Sequence, residues 1–410
     1  MSTSIILFED GKVSNFFPLA LTRPVYELKC GIKTLREKVE FFYEKECYSY
    51  QMRDYLQGTF KERNPKKIVN SLPDTDILFL NGRILADKTI LRSIPMESEE
   101  AIYRVNEEII AIKLNIGSKY LSELNFENLA INNFEGLKQI DVDVKMINYY
   151  WDLVGNLGSE IRNDYSNFYS SINAAPDFHG VDYLNKKDIF IGKNVEIKPQ
   201  VVIDASEGPV IIDDNVLIMP HVVIHGPAYI GNSTRVKVNS YIYSNSSIGE
   251  HCKVGGEIED TIIHSYSNKQ HDGFLGHSYL GEWINIGAAT NNSDLKNNYG
   301  TISAYVNGHL IDTGMQFLGL IMGDHSKTAI NTTFNTGTVV GFSCNIFGSG
   351  FPKRNLPSFT FGGTDMLRTN SLEKSIEVAK LVMERRNIQF SKSDSELFGK
   401  IFELTSSERK

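Results

Sequence analysis

The sequence predicts a mixed α/β domain over residues 1–155, a connector over 156–185, a β-solenoid over 186–364 and a helical tail over 365–410. Three observations lead there. Apolar residues recur every six positions through the middle of the chain, strand-like and helix-like segments alternate before it, and a capped amphipathic stretch follows it. With 410 residues the chain exceeds the roughly 250–300 at which a single hydrophobic core stops growing, so more than one domain is expected. Apolar residues at 41% and charged residues at 22% exclude disordered, collagen-like and disulfide-scaffold classes. The balance of 42 basic against 50 acidic residues, formally −8, argues against nucleic acid or an anionic membrane as partner. Cys30, Cys47, Cys252 and Cys344 show no CxxC spacing, which signals neither a zinc site nor a disulfide framework. Reduced thiols, an N-terminus (MSTSIILFEDGK) unlike a signal peptide and the lack of any ~18-residue apolar run give a cytoplasmic expectation.

In chain order, IILF (5–8) and DILFLNG (76–82) read as buried strands bounded by turn residues. Between them, GIKTLREKVEFFYEK (31–45) carries Ile32, Leu35, Val39 and Phe42 at helical spacing. Such alternation implies a sheet covered by helices. The connector has little periodicity and room for one helix. Near the C-terminus, TNSLEKSIEVAKLVMERR offers Asn370 or Ser371 as a cap and puts Leu372, Ile376, Ala379 and Met383 on one stripe, a single C-terminal helix.

The repeat organises the rest. Ile191, Ile197 and Ile203 fall six apart, and after an offset of nine the spacing runs through Ile212, Ile218, Ile224, Ile230, Val236, Ile242, Ile248 and Val254. It recurs at Phe274, Leu280 and Ile286, then from Met322 through Thr328, Phe334 and Val340 to Ile346. A period of six fits neither a helix nor a long strand, so each hexad is a short strand plus a turn, three to a triangular coil. Each coil buries its apolar side chains only against its neighbours. The pattern resembles the hexapeptide-repeat left-handed parallel β-helix of acyltransferases; the handedness is implied by that resemblance.

The segment GKVSNFFPLALTRPV (11–25) follows the first strand and resembles the signature loop of sugar-1-phosphate nucleotidyltransferases, with Gly11, Ser14, Pro18, Leu19, Thr22, Arg23 and Pro24 in register. That resemblance implies a Rossmann-like α/β domain in which backbone N–H groups and basic side chains meet the phosphates of UTP or another nucleoside triphosphate. Gly11, Ser14, Arg23 and Lys29 are the nucleotide-binding candidates. The loop departs from the family at Val13, Asn15 and Val25, and Glu9 and Asp10 stand where small residues are usual. After Asn81-Gly82 the family's magnesium aspartate is replaced by Arg83, while Trp151-Asp152 resembles the second metal aspartate, so Mg2+ would fall to Asp152.

Within the solenoid, KQHDGFLGHSYLGEWINIGAATNNSDLKNNYG (269–300) resembles the active-site coil of the GlmU-like bifunctional family, which acetylates glucosamine-1-phosphate and uridylylates the product. Acylating an amine needs a neutral imidazole to take its proton and donors for the oxyanion. By the family's spacing, His271, fourteen residues before Asn285, is the candidate general base. His277 competes, because GHSYLG also matches the family's local string. Asn285, Asn298 and Tyr299 are expected to position substrate, and Arg235 and Lys237 to meet the sugar phosphate. The resemblance further implies acetyl-CoA as co-substrate, a sugar phosphate as acceptor, and a homotrimer with its acyl site between subunits. Two rivals stay open: a nucleotidyltransferase with the β-helix as trimerisation stalk, and a non-catalytic sugar-nucleotide sensor or scaffold.

Overall fold

The computed structural model describes residues 3–44, 48–170 and 176–409. Cys47 lies outside them; the other three cysteines are buried free thiols. The chain divides into two compact units. Met1–Phe16, Thr22–Leu28 and Lys33–Tyr149 form the first; Phe17–Leu21, Lys29–Ile32 and Tyr150–Lys410 form the second.

The first unit is built on seven strands: β1 (Thr3–Phe8), β2 (Tyr48–Gln51), β3 (Ile68–Val69), β4 (Asp76–Asn81), β5 (Ala101–Val105), β6 (Glu108–Leu114) and β7 (Lys138–Asp141). Their order in the sheet is β3-β2-β1-β4-β6-β5-β7, with β1 parallel to both β2 and β4, and β6 antiparallel to β4 and β5. All six residues of β1 are buried, as a central strand covered on both faces requires. The helix expected over 31–45 runs from Leu35 to Tyr43, leaving Ile32 before its start at a capping box in which Thr34 Oγ accepts from Glu37 N and the Glu37 carboxylate accepts from Thr34 N. The chain leaves β1 toward β2 but reaches β4 on the other side, so the strand order reverses between them. A reversal of this kind opens a crevice at the carboxyl ends of the two strands.

The second unit is a left-handed parallel β-helix with three sheets. One face runs through Leu217–Ile218, Arg235–Val236, Lys253–Val254 and Asn268–Lys269; a second through Val223–His225, Tyr241–Ile242, Glu257–Glu259 and Phe274–Gly276; a third through Ala228–Ile230, Ser246–Ile248, Ile262–Ile263 and Tyr279–Leu280. All eight aliphatic residues from Ile212 to Val254 are buried in one continuous core. The solenoid's first paired strand is Val181–Leu184, so residues 181–185 of the expected connector join the β-helix, and the rest of the connector carries the Leu157–Phe168 helix.

Beyond Val254 the period shortens. The next inward residues are Ile258, Ile263, Lys269 and Leu275, steps of four, five, six and six, so Phe274 faces outward where the strict period put it inward. Lys269 therefore stacks on Val254 inside the solenoid, only 2% exposed. Its ammonium donates to the carbonyls of Gly255 (2.9 Å) and His271 (3.0 Å), two acceptors that the shortened coil turns inward. Burial lowers its pKa to about 8.

The tail carries two helices where the sequence suggested one. Leu372–Glu384 is capped by Ser371, and Lys392–Leu404 by a Ser391/Asp394 capping box. Among the described residues no helix is long and apolar enough to cross a membrane.

Candidate active sites

The solenoid brings together residues one coil apart. Asn245, Asp260, His277 and Asp294, spaced 15, 17 and 17 in sequence, follow the second face in successive coils. The first three hold positive φ (56°, 44° and 46°), the left-handed geometry of a tight corner. His277 Nδ1 lies 2.8 Å from Asp294 Oδ2, and its Nε2 lies 3.7 Å from Asp260 Oδ2. Asn245 Nδ2 donates to the other Asp260 oxygen at 2.8 Å. Phe317 stacks on the imidazole with ring centroids 4.9 Å apart. An ionised Asp294 only accepts, so it holds the imidazole proton on Nδ1 and leaves the Nε2 lone pair on the Asp260 side. Burial alone would lower the His277 pKa. The Asp294 hydrogen bond and the charges of Asp260, Asp294 and Glu259 outweigh it, so the pKa stands above the ordinary 6.5. Asn245, Asp260, His277 and Phe317 line a cavity of about 450 Å³ with Arg162 and Gln316.

Of the two candidate histidines, His277 is the one with carboxylate neighbours. His271 is exposed and its ring meets no carboxylate among the described residues. Asn285 lies on the first face of the solenoid. It bridges Asn268 and Lys327 on the first face, the face that carries Arg235 and Lys237, and does not line the His277 cavity. Asn298 and Tyr299 lie on an exposed insertion between coils. The Asn298 side chain accepts from Gly300 N at 3.1 Å, and the Tyr299 carbonyl accepts from Gln316 Nε2 at 3.0 Å, tying this loop to a cavity residue.

In the first unit, Gly11 lines two cavities of about 570 and 820 Å³ at the end of β1. A Cβ there would come within 2.4 Å of the Glu127 carbonyl, so only glycine fits. The loop's departures from the family prove to be paired. Glu9 Oε2 accepts from Arg53 Nε at 3.0 Å, and its Oε1 accepts from Val25 N at 2.8 Å, which fixes the end of the loop. Asp10 Oδ1 accepts from Arg83 Nε at 3.0 Å and Oδ2 from Arg83 Nη2 at 2.6 Å. Arg83 is fully buried, and its remaining donors go to Glu108, the Ile147 carbonyl (3.0 Å) and Asn148 Oδ1 (2.7 Å). Burial alone would raise the Asp10 pKa; Arg83 outweighs it and holds the carboxyl below its usual range.

Three of the four expected nucleotide ligands line neither cavity. Arg23 is buried in the first unit, with Nη2 donating to Thr22 Oγ1 at 3.4 Å, and lines neither cavity. Lys29 belongs to the second unit, buried with its ammonium 5.9 Å from the Tyr229 ring centre. Ser14 is half-buried and lines neither cavity. Asp152 sits in the first turn of the Tyr150–Gly155 helix, also in the second unit. Among the described residues no three His, Cys, Asp or Glu are placed to hold a metal ion. At the strand ends the Arg83 guanidinium already pairs with Asp10 and Glu108, a poor setting for Mg2+ on those two carboxylates.

Residues 5–171 match the family model described as sugar nucleotidyl transferase. A bifunctional sugar-1-phosphate nucleotidylyltransferase/acetyltransferase of Sulfurisphaera tokodaii is 28% identical over 150 residues, 33% of this chain and 37% of that protein. The bifunctional protein GlmU of Wigglesworthia glossinidia brevipalpis is 24% identical over 350 residues, 82% of this chain and 61% of that protein. An uncharacterized acetyltransferase, YaiX, of Escherichia coli O6:K15:H31 is 28% identical over 189 residues, 45% of this chain and 80% of that protein. The chain thus matches less than two thirds of the length of either bifunctional relative. The chain thus joins a sugar nucleotidyltransferase-like domain to a parallel β-helix, and the relatives it resembles are transferases. In sequence the chain is similar to bifunctional nucleotidyltransferase/acetyltransferases of the GlmU kind, at low identity.

Proposed function

We propose that the β-helix transfers the acetyl group of acetyl-CoA to the amine of glucosamine-1-phosphate. The observation that carries this reading is His277, oriented by Asp294 on one side and facing Asp260 on the other. The neutral amine attacks the thioester carbonyl; the N–C bond forms and the C–S bond breaks. Nε2 takes the amine proton, and the resulting imidazolium returns a proton to the departing thiolate. Asp260 attracts the substrate's ammonium form into the cavity, and Arg162 offers positive charge for its phosphate. The resemblance further suggests a homotrimer, which sedimentation of the wild-type chain tests. For the acyl transfer, the assay is release of free CoA from acetyl-CoA with a panel of amino-sugar 1-phosphates. No turnover with any of them in a well-folded protein refutes the reading.

The family's second step, uridylyl transfer from UTP to N-acetylglucosamine-1-phosphate giving UDP-N-acetylglucosamine, would fall to the first unit. Arg83 favours a second reading for that unit, sugar-nucleotide binding without transfer. Its smaller cavity is lined by Asp10, Glu107, Glu108 and Glu127 against Lys12 alone, a poor setting for a triphosphate. Pyrophosphate release from UTP and N-acetylglucosamine-1-phosphate with Mg2+ would establish transfer. Binding of UDP-N-acetylglucosamine without such release supports the second reading.

A further inference from the structure

In the first unit the loop between β6 and β7 reaches over the strand-end crevice. It forms three 3-10 turns, Lys119–Glu123, Phe126–Asn128 and Ile131–Phe134. Its base is pinned. Tyr120 and Phe134 are buried in the core of this unit with ring centroids 5.7 Å apart, and the Tyr120 hydroxyl donates to the Glu135 carbonyl. The tip is held more lightly. Its hydrogen bonds are local, with Asn125 Oδ1 accepting from Glu127 N (3.1 Å) and Asn128 N (3.3 Å). Phe126 anchors it by stacking on Phe8, ring centroids 4.9 Å apart, and by a tilted contact with Phe79 at 5.6 Å. No residue from 124 to 130 is fully buried. A compact loop with a joined base and a half-buried tip belongs to the least stable, most readily opened part of a fold.

The tip rests where a ligand would enter. Asp10 and Gly11 line both cavities at the end of β1, and so do Glu127 and Asn128, so the tip and the loop after β1 together divide the crevice in two. The Glu127 carbonyl lies over Gly11, close enough to exclude even a Cβ there. A crevice at the carboxyl ends of two parallel strands is where an open α/β sheet takes its ligand, and a glycine after the first strand lets phosphate approach the backbone. Here that approach meets a carbonyl oxygen and a residue bearing a carboxylate, and both repel phosphate. We propose that the 124–129 tip is an autoinhibitory lid, which must lift from Gly11 before the phosphates of a sugar nucleotide bind. The lid rests on the sugar-nucleotide reading of the first unit and adds a closed state to it. A closed state lowers the apparent affinity by the fraction of open molecules, so loosening the tip tightens binding.

The test pairs calorimetric titration with amide hydrogen exchange, on the full wild-type chain and on two full-length variants. Phe126→Ala removes the stacked ring, and Asn125→Ala removes the side chain that caps the turn; circular dichroism confirms that each is folded. The probe is UDP-N-acetylglucosamine. At least one variant should bind it about threefold or more tightly than the wild-type chain, as the open fraction rises. Saturating the wild-type chain should speed exchange at the amides of residues 125–129 while those of β1 and β4 stay protected. If the wild-type chain binds and neither variant reaches that gain, or if saturation slows exchange in the tip, the lid is overturned and sugar-nucleotide binding stands. If neither the wild-type chain nor a variant binds, the sugar-nucleotide reading falls and the lid with it.

Discussion

Replacing Asp294 by Asn keeps the size of the side chain and its ability to accept from His277 Nδ1, but removes the charge 2.8 Å away. A hydrogen bond to a charged group contributes about 1.5–3 kcal/mol, and the imidazolium that forms during acyl transfer is the species that feels it. At about 1.4 kcal/mol per decade, Asp294→Asn should lower kcat by about 10- to 150-fold, with a smaller effect on the KM for the amino sugar. The pH profile gives a second readout. The wild-type base must be neutral, so activity should rise with pH through a midpoint above the ordinary 6.5, because Asp294, Asp260 and Glu259 hold the imidazolium. Removing one of these anions favours the neutral form, so the midpoint in the variant should move to lower pH. The assay is CoA release followed with a thiol reagent between pH 5.5 and 9. Unchanged kcat and an unchanged midpoint would show that His277 is not the base.

Three further outcomes follow from the packing. Arg83→Met leaves the carboxylates of Asp10 and Glu108 without their buried partner and should cost about 3–5 kcal/mol in chemical unfolding; a loss below about 1 kcal/mol contradicts the closed ion cluster. Lys269→Met strands two inward carbonyls and should cost about 1–3 kcal/mol in urea unfolding, whereas a stability equal to wild type means that the ammonium does not satisfy them. The raised pKa of His277 means that it contributes stability fully below its unfolded value of about 6.5 and loses that contribution as pH rises through the folded value. The stability gap between wild type and His277→Gln should therefore be widest on the acid side and shrink toward pH 8; a gap constant with pH refutes the linkage.

The solenoid was readable because every strict hexad places one aliphatic side chain in the core, as with the unbroken run from Ile212 to Val254. The period failed where the coil shortens: Lys269 takes a core position because two inward carbonyls need a donor more than the core needs another methyl group. The carboxylate partners of His277 were hidden from the sequence reading for a related reason. Distance along the chain to Asn285 favoured His271, but in a solenoid the neighbours of a residue lie one coil away. The signal was present as Asn245, Asp260, His277 and Asp294 at near-coil intervals. In the first unit, Glu9, Asp10 and Arg83 each read as a defect in a familiar loop. Strand pairing of β1 with β4 shows that Asp10 and Arg83 compensate each other, which no local motif reveals.

The acyl transfer proposed for the His277 corner has a direct test. The direct measurement is the initial rate of CoA release from acetyl-CoA and glucosamine-1-phosphate for the wild-type chain, His277→Ala and His271→Ala, each confirmed to be folded. Loss of about 10²–10⁴-fold in kcat for His277→Ala, with His271→Ala within a few-fold of wild type, is the expected result. Full activity in His277→Ala, or the loss falling on His271→Ala instead, contradicts the account.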